Sequence, residues 1–201
     1  GDIAIGCGET KGMRLLVDAM KEMRAAHPGV TFRLSSGNFE DISDRLDGGL
    51  VDFGLFVGDA AVAKYDYIKL PHSDAWGLLM RADDALAERA TVRPQDLDGI
   101  PLLCSRQAVA GNELSGWLGR EFGELDIVAT YNLIHNASYM VEAGMGCAVS
   151  IEGLVNTSGT GLVFRPFEPS LTARLSFAWK RGRQLSRAAA EFLKLLQSKI
   201  G

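Results

Sequence analysis

Residues Ile3 to Ser35 read IAIGCGETKGMRLLVDAMKEMRAAHPGVTFRLS. Ile3 to Cys7 is a short apolar run ending in the glycine turn Gly6-Cys7-Gly8, which reads as a buried strand. Met13, Leu16, Val17, Met20 and Met23 then recur at helical spacing, so Lys11 to Ala26 is predicted to be an amphipathic helix. His27-Pro28-Gly29 stops it, because proline cannot continue a helix and glycine tolerates the exit geometry. Val30 to Ser35 reads as a second strand. Strand, helix and strand in this order make a βαβ unit, hence a parallel pair with a right-handed crossover.

Outward from this unit the pattern repeats. Ser36-Gly37-Asn38 leads into a short helix with Phe39, Ile42 and Leu46 on one face; Gly48-Gly49 ends it, and Asp52 to Val57 is a third strand. Tyr67 to Pro71 and Trp76 to Met80 read as two extended stretches separated by the polar His72-Ser73-Asp74. Arg81 to Asp98 is charged, is punctuated by Pro94 and reads as surface. Pro101 to Cys104, Ile127 to Tyr131, Gly146 to Ile151, Leu162 to Phe167 and Leu175 to Lys180 are strand-like. Leu114, Trp117, Leu118 and Phe122 mark one helix and Ala137 to Ala143 another. Ser186 can cap a last helix, in which Ala189, Phe192, Leu193, Leu196 and Ile200 form the buried stripe.

The expected fold is therefore α/β: two βαβ lobes joined by two crossover segments, the layout of a two-lobed binding protein. Residues 1–73 and 182–201 make the first lobe and 74–181 the second. The helix Lys11 to Ala26 and the helix holding Leu114 and Trp117 are expected to expose apolar surface for a dimer.

Composition bounds the function. The chain has 201 residues, 47% hydrophobic and 23% charged, with a net charge of −4. A DNA-binding surface needs a basic stripe, and the single basic cluster, Lys180-Arg181-Gly182-Arg183, reads as a solvated turn. No apolar run approaches membrane-spanning length, so no membrane partner is expected. No signal peptide is visible, and a start inside the first strand suggests a piece of a longer chain. Cys7, Cys104 and Cys147 are too few and too far apart for a disulfide framework or metal motif; each reads as a small buried hydrophobe, which suits a reducing cytoplasm.

Several segments resemble the effector domain of LysR-type transcriptional regulators. They are Ile5-Gly6-Cys7-Gly8-Glu9-Thr10 opening a helix, His27-Pro28-Gly29-Val30, the stretch Leu46 to Leu55, the turn Val141-Glu142-Ala143-Gly144-Met145-Gly146-Cys147-Ala148, and Trp179-Lys180-Arg181-Gly182 ahead of the Ser186 helix. Each is a glycine turn beside apolar residues, and their ordered set carries the likeness along nearly the whole chain. The resemblance implies the type 2 periplasmic-binding-protein-like fold and a cytoplasmic regulator controlled by a small-molecule effector. It also implies a homodimer (or a tetramer at full length), in which a helix of one lobe packs on the partner's second lobe. Promoter DNA would be bound by an N-terminal winged helix-turn-helix that this chain does not contain.

In open α/β folds, ligands sit at the carboxyl ends of the strands, where helix N-termini favour an anion or a carbonyl. Those ends offer Thr10, Lys11, Ser35, Ser36, Phe56 and Val57 in the first lobe, and Ser105, Arg106, Asn132, Ser150 and Ile151 in the second. The two sets are expected to face each other across a cleft, and the resemblance implies effector contacts at most of them. Each has a plainer reading: Thr10, Ser35 and Ser36 can cap turns, Lys11 can be solvated, and Arg106 can pair with Glu113. Arginine at such a place suits a carboxylate, so the expected effector is a small organic acid. Leu133, His135 and Asn136 depart from the residues relatives carry there.

Other chemistries fit less well. Gly6-x-Gly8-x-x-x-Gly12 has the wrong spacing for a dinucleotide fingerprint, and no Gly-Lys-Ser/Thr ending makes a phosphate loop. No nucleophile elbow accompanies His27, His72 and His135, and nothing joins Cys104 to His135, so no enzyme and no cofactor are expected. A periplasmic solute-binding protein and a cysteine-based redox regulator stay open as alternatives.

Overall fold

In the computed structural model, which describes residues 1–58 and 62–201, β1 (Asp2–Cys7) pairs in parallel with β2 (Thr31–Ser36) on one side and β3 (Phe53–Val57) on the other. β9 (Thr172–Lys180) runs antiparallel to β3, with Phe56 opposite Ser176. Side chains alternate across a strand. Ile3, Ile5, Phe53 and Leu55 therefore point to one face, where they meet Leu16, Ala19, Met20 and Met23 of α1 (Met13–Ala26). Ala189, Phe192, Leu193 and Leu196 of α6 (Arg187–Ile200) join the same cluster. Ala4, Phe56 and Ala178 point the other way, onto α2 (Phe39–Asp47).

Local chemistry sets the helix ends. Ser186 Oγ accepts from the Ala189 N–H at 3.2 Å and starts α6. Asn38 and Asp41 form a reciprocal capping box at α2. α1 begins at Met13, two residues later than the periodicity suggested. The chain enters it over β9 so closely that a Cβ on Gly12 would lie 2.1 Å from Leu175 Cδ1.

In the other set of strands, β5 (Leu102–Ser105) is parallel to both β6 (Ile127–Tyr131) and β7 (Cys147–Ile151). β7 is antiparallel to β4 (Tyr65–Arg81), whose far side carries β8 (Leu162–Pro166). One face holds Leu78, Cys104 and Val149 against α3 (Arg106–Ala110) and α4 (Asn112–Leu118). The other holds Leu79, Leu103 and Ala148 against α5 (Ile134–Glu142). The chain divides into two units: Gly1–Ser73 with Arg174–Gly201, and Asp74–Ala173.

Six expectations need correction. The return segment 174–181 groups with the first unit, because β9 is stitched to β3 there. Tyr67 to Pro71 and Trp76 to Met80 belong to one 17-residue strand; His72, Ser73 and Asp74 continue it, with Asp74 only 1% exposed. The helix drawn from Leu114 to Phe122 ends at Leu118, where Gly119 turns left-handed at φ 69°. The basic turn is exposed but engaged: Lys180 donates to Asp47 O at 2.8 Å, Arg181 to Ala63 O at 2.9 Å and Arg183 to Val51 O at 3.2 Å. The apolar surfaces expected of α1 and α4 are largely absent, because Met20, Met23, Leu114 and Leu118 are buried within their own units. Residues 81–98, read as surface, also bury Ala87, Val92 and Leu97.

Candidate functional site

The three parallel strands of the first unit end level with one another. Cys7 lies opposite both Ser36 and Leu55, the Gly8 N–H donates to Leu55 O at 2.9 Å, and the Gly37 N–H donates to Cys7 O at 3.1 Å. Thr10, Lys11, Ser36 and Val57 gather along this edge. Thr10 is buried, and its Oγ1 accepts from the Gly12 N–H at 2.9 Å, so it holds the turn into α1. Ser36 is exposed on the α1 face, while Ser35, half-buried opposite Gly6, turns to the α2 face. Val57 is half-buried against the α1 core. Phe56 was expected to wall the site, but it is 1% exposed between Phe39, at 5.3 Å, and the stacked ring of Tyr65, at 5.8 Å. It is a core residue.

The second unit offers a comparable edge. Ser105 pairs with Tyr131 in the β5–β6 ladder, and Cys104 with Val149 in the β5–β7 ladder. Ser105 Oγ accepts from the Ala108 N–H at 3.0 Å and caps α3, a helix the sequence pattern did not reveal. Arg106 follows it, exposed. Among the described residues no ion pair or side-chain hydrogen bond is seen at its guanidinium. Asn132 is exposed, with Oδ1 accepting from the Leu133 N–H at 3.0 Å. The Tyr131 hydroxyl donates to Val149 O at 2.5 Å and ties the end of β6 across to β7. Ser150 and Ile151 are both buried at the end of β7. The edges therefore carry hydroxyls, a lysine and an exposed guanidinium, a donor-rich set suited to oxygen acceptors.

The cysteines lack thiolate character. Burial pushes the Cys7 thiol up to about 11 and the Cys104 thiol to about 12. Burial, with Asp84 alongside, takes Cys147 to about 12. Nucleophilic and redox chemistry both run through the thiolate. Cys104 is also fully buried on the α3–α4 face, whereas His135 is exposed on α5, so they form no nucleophile–base pair.

Two polar groups escaped sequence reading. Asp74 is a buried carboxylate inside what looked like a polar linker. Trp76 stands opposite Ile151 with its indole nitrogen buried. Neither breaks an apolar pattern in a way that announces it; only strand register places them.

The profile of the LysR substrate binding domain matches residues 1–201. A curated relative, the uncharacterized HTH-type transcriptional regulator YfeR of Shigella flexneri, is 25% identical over 191 residues. That alignment takes in 94% of this chain and 62% of the relative, so the chain spans less than two thirds of its length. The solved structure of HinK, a LysR family transcriptional regulator from Pseudomonas aeruginosa, is 22% identical with a TM-score of 0.77, over all of this chain and 71% of that one. The effector binding domain of QuiR in complex with shikimate is 13% identical with a TM-score of 0.82, over all of this chain and 97% of that one.

Proposed function

The chain belongs to the LysR substrate-binding domain family and is the effector-sensing domain of a LysR-type regulator, and we propose that the effector it senses is a small organic acid. Each unit offers a strand-end set for effector contacts: Thr10, Lys11, Ser35, Ser36 and Val57 in the first, and Ser105, Arg106, Asn132, Ser150 and Ile151 in the second. Phe56 supports the first set from the core.

One observation carries the reading. The exposed Arg106 guanidinium, with no ion pair or hydrogen bond among the described residues, stands at the carboxyl end of a parallel strand, the place where α/β folds bind ligands. A bound carboxylate needs a matched charge and satisfied hydrogen bonds, which Arg106 and the neighbouring hydroxyls can offer. The shikimate bound by the QuiR domain, itself a carboxylic acid, is of the proposed class.

For the whole regulator, we propose a cytoplasmic homodimer, or a tetramer, that binds promoter DNA through a helix-turn-helix segment outside this chain. Its dimer surfaces use Val17 of α1 and Leu34 of the edge strand β2 in the first unit, and Val128 of the edge strand β6 with Tyr139 of α5 in the second. These large side chains are left exposed. A second copy of the chain is the occupant, which would cover unpaired strand edges that otherwise invite aggregation. Mass spectrometry of small molecules extracted from the purified domain tests the effector class. A stoichiometric carboxylic acid supports it, and a neutral or cationic compound contradicts it.

A further inference from the structure

The β4–β7 ladder sets Trp76 opposite Ile151 and Leu78 opposite Val149, so Trp76 lies in the last row of the second unit's sheet, where β7 ends. Cross-strand partners share a face. Trp76 therefore stands on the α3–α4 side, and its ring packs against the cluster that holds Leu78, Ala108, Leu114 and Val149. Its backbone is fully engaged: the N–H donates to Leu171 O at 2.9 Å, and its carbonyl accepts from the Phe167 N–H at 3.0 Å.

The indole N–H is different. Nε1 is buried and has no hydrogen-bond partner among the described residues. Trp117 in the same unit is the contrast, since its Nε1–H donates to Pro169 O at 2.7 Å even though that site is more open. A buried indole N–H usually finds an acceptor, and one without carries an uncompensated desolvation cost. Surrounding apolar side chains cannot relieve it. An acceptor from outside the chain can, and Trp76 neighbours Ile151 of the strand-end set.

We propose that Trp76 is a recognition residue of the sensing site, whose indole N–H donates to an oxygen of the bound acid. The proposal rests on the organic-acid reading above. It assigns Trp76 a selective role: an acid that places an oxygen at Nε1 binds better than one that places a methyl or ring carbon there.

The test uses Trp76→Phe and Trp117→Phe beside wild type, with shikimate, benzoate and salicylate as probes in calorimetry and thermal-shift titration. Trp76→Phe gives up some ring packing but no made hydrogen bond, so its denaturant midpoint falls less than that of Trp117→Phe. Its affinity for any of these acids that wild type binds falls roughly three- to tenfold, the worth of one neutral hydrogen bond. Trp117→Phe lowers the midpoint, having lost a made bond, and leaves affinity as in wild type. Equal affinity of wild type and Trp76→Phe overturns the assignment while the organic-acid reading stands. A Trp76→Phe midpoint that falls as far as that of Trp117→Phe also overturns it, because the Trp76 N–H would then be satisfied without ligand. If wild type binds none of the three acids, this role for Trp76 is overturned, and extraction of the bound compound then decides separately whether an organic acid is sensed.

Discussion

A methyl group on Gly77 has no room: its Cβ would lie 2.3 Å from Arg165 O, a backbone atom of the paired strand β8. Gly77→Ala should therefore push β4 and β8 apart and cost roughly 1–3 kcal/mol, read as a lower midpoint in urea unfolding. Asp47 gives a pH test at the same scale. The hydrogen bond from Lys64 Nζ, and then that from the Tyr65 hydroxyl, hold its carboxyl below the usual carboxylate range, each at 2.8 Å. A carboxyl whose folded pKa is depressed stabilises the fold above its unfolded pKa, and this stability is lost as pH falls through the folded value. Unfolding midpoints measured from about pH 6 down to about pH 3 should fall less steeply for Asp47→Asn than for wild type. The half-exposed pair keeps the effect small. Single residues were the least legible part of the sequence. Thr10 and Ser105 were visible as candidates, yet a hydroxyl that caps a turn and one that meets a ligand have the same neighbours in sequence. Phe56 looked like a site wall because it ends a strand; the Tyr65 ring that covers it comes from beyond the next loop.

Elements with their own periodicity were read well. The opening strand, helix and strand, and the stripe from Ala189 to Leu196, stand within a residue or two of where the pattern put them. Elements defined by distant partners were not. α3 spans only five residues, Arg-Gln-Ala-Val-Ala, too few to show a helical repeat. The polar His72-Ser73-Asp74 looked like a break, but these residues continue the strand that passes from one unit to the other. The methionines of α1 looked like interface because nothing nearby in sequence covers them, yet α6 returns from the chain's far end to do so. That packing predicts two costs. Phe192→Ala, removing a fully buried ring that meets Phe32, Phe53 and Phe177, should cost roughly 3–5 kcal/mol in chemical unfolding. Ser186→Ala, removing only the cap, should cost roughly 0.5–2 kcal/mol.

For the whole molecule, the proposed dimer surfaces make a prediction that the buried methionines do not. Tyr139 is 57% exposed on α5, so Tyr139→Asp should leave the unfolding midpoint nearly unchanged. It should shift sedimentation toward the monomer. A monomeric wild type at high micromolar concentration would count against the surface. The two-unit α/β plan was legible because each unit is built from local strand–helix–strand repeats, and the family likeness follows the same glycine turns. The ligand was not legible, since recognition depends on which of several hydroxyls and cations remain unpaired once the strands are in register.

The most direct measurement is titration calorimetry of wild type and Arg106→Ala with the acid recovered from the purified domain. A carboxylate held by Arg106 through a charge-assisted bond is worth roughly 1.5–3 kcal/mol, so the variant should bind about ten- to a hundredfold more weakly with an unchanged dimer. Equal affinity of the two proteins would contradict the account, making Arg106 a solvated surface cation and removing the ground for an acidic effector.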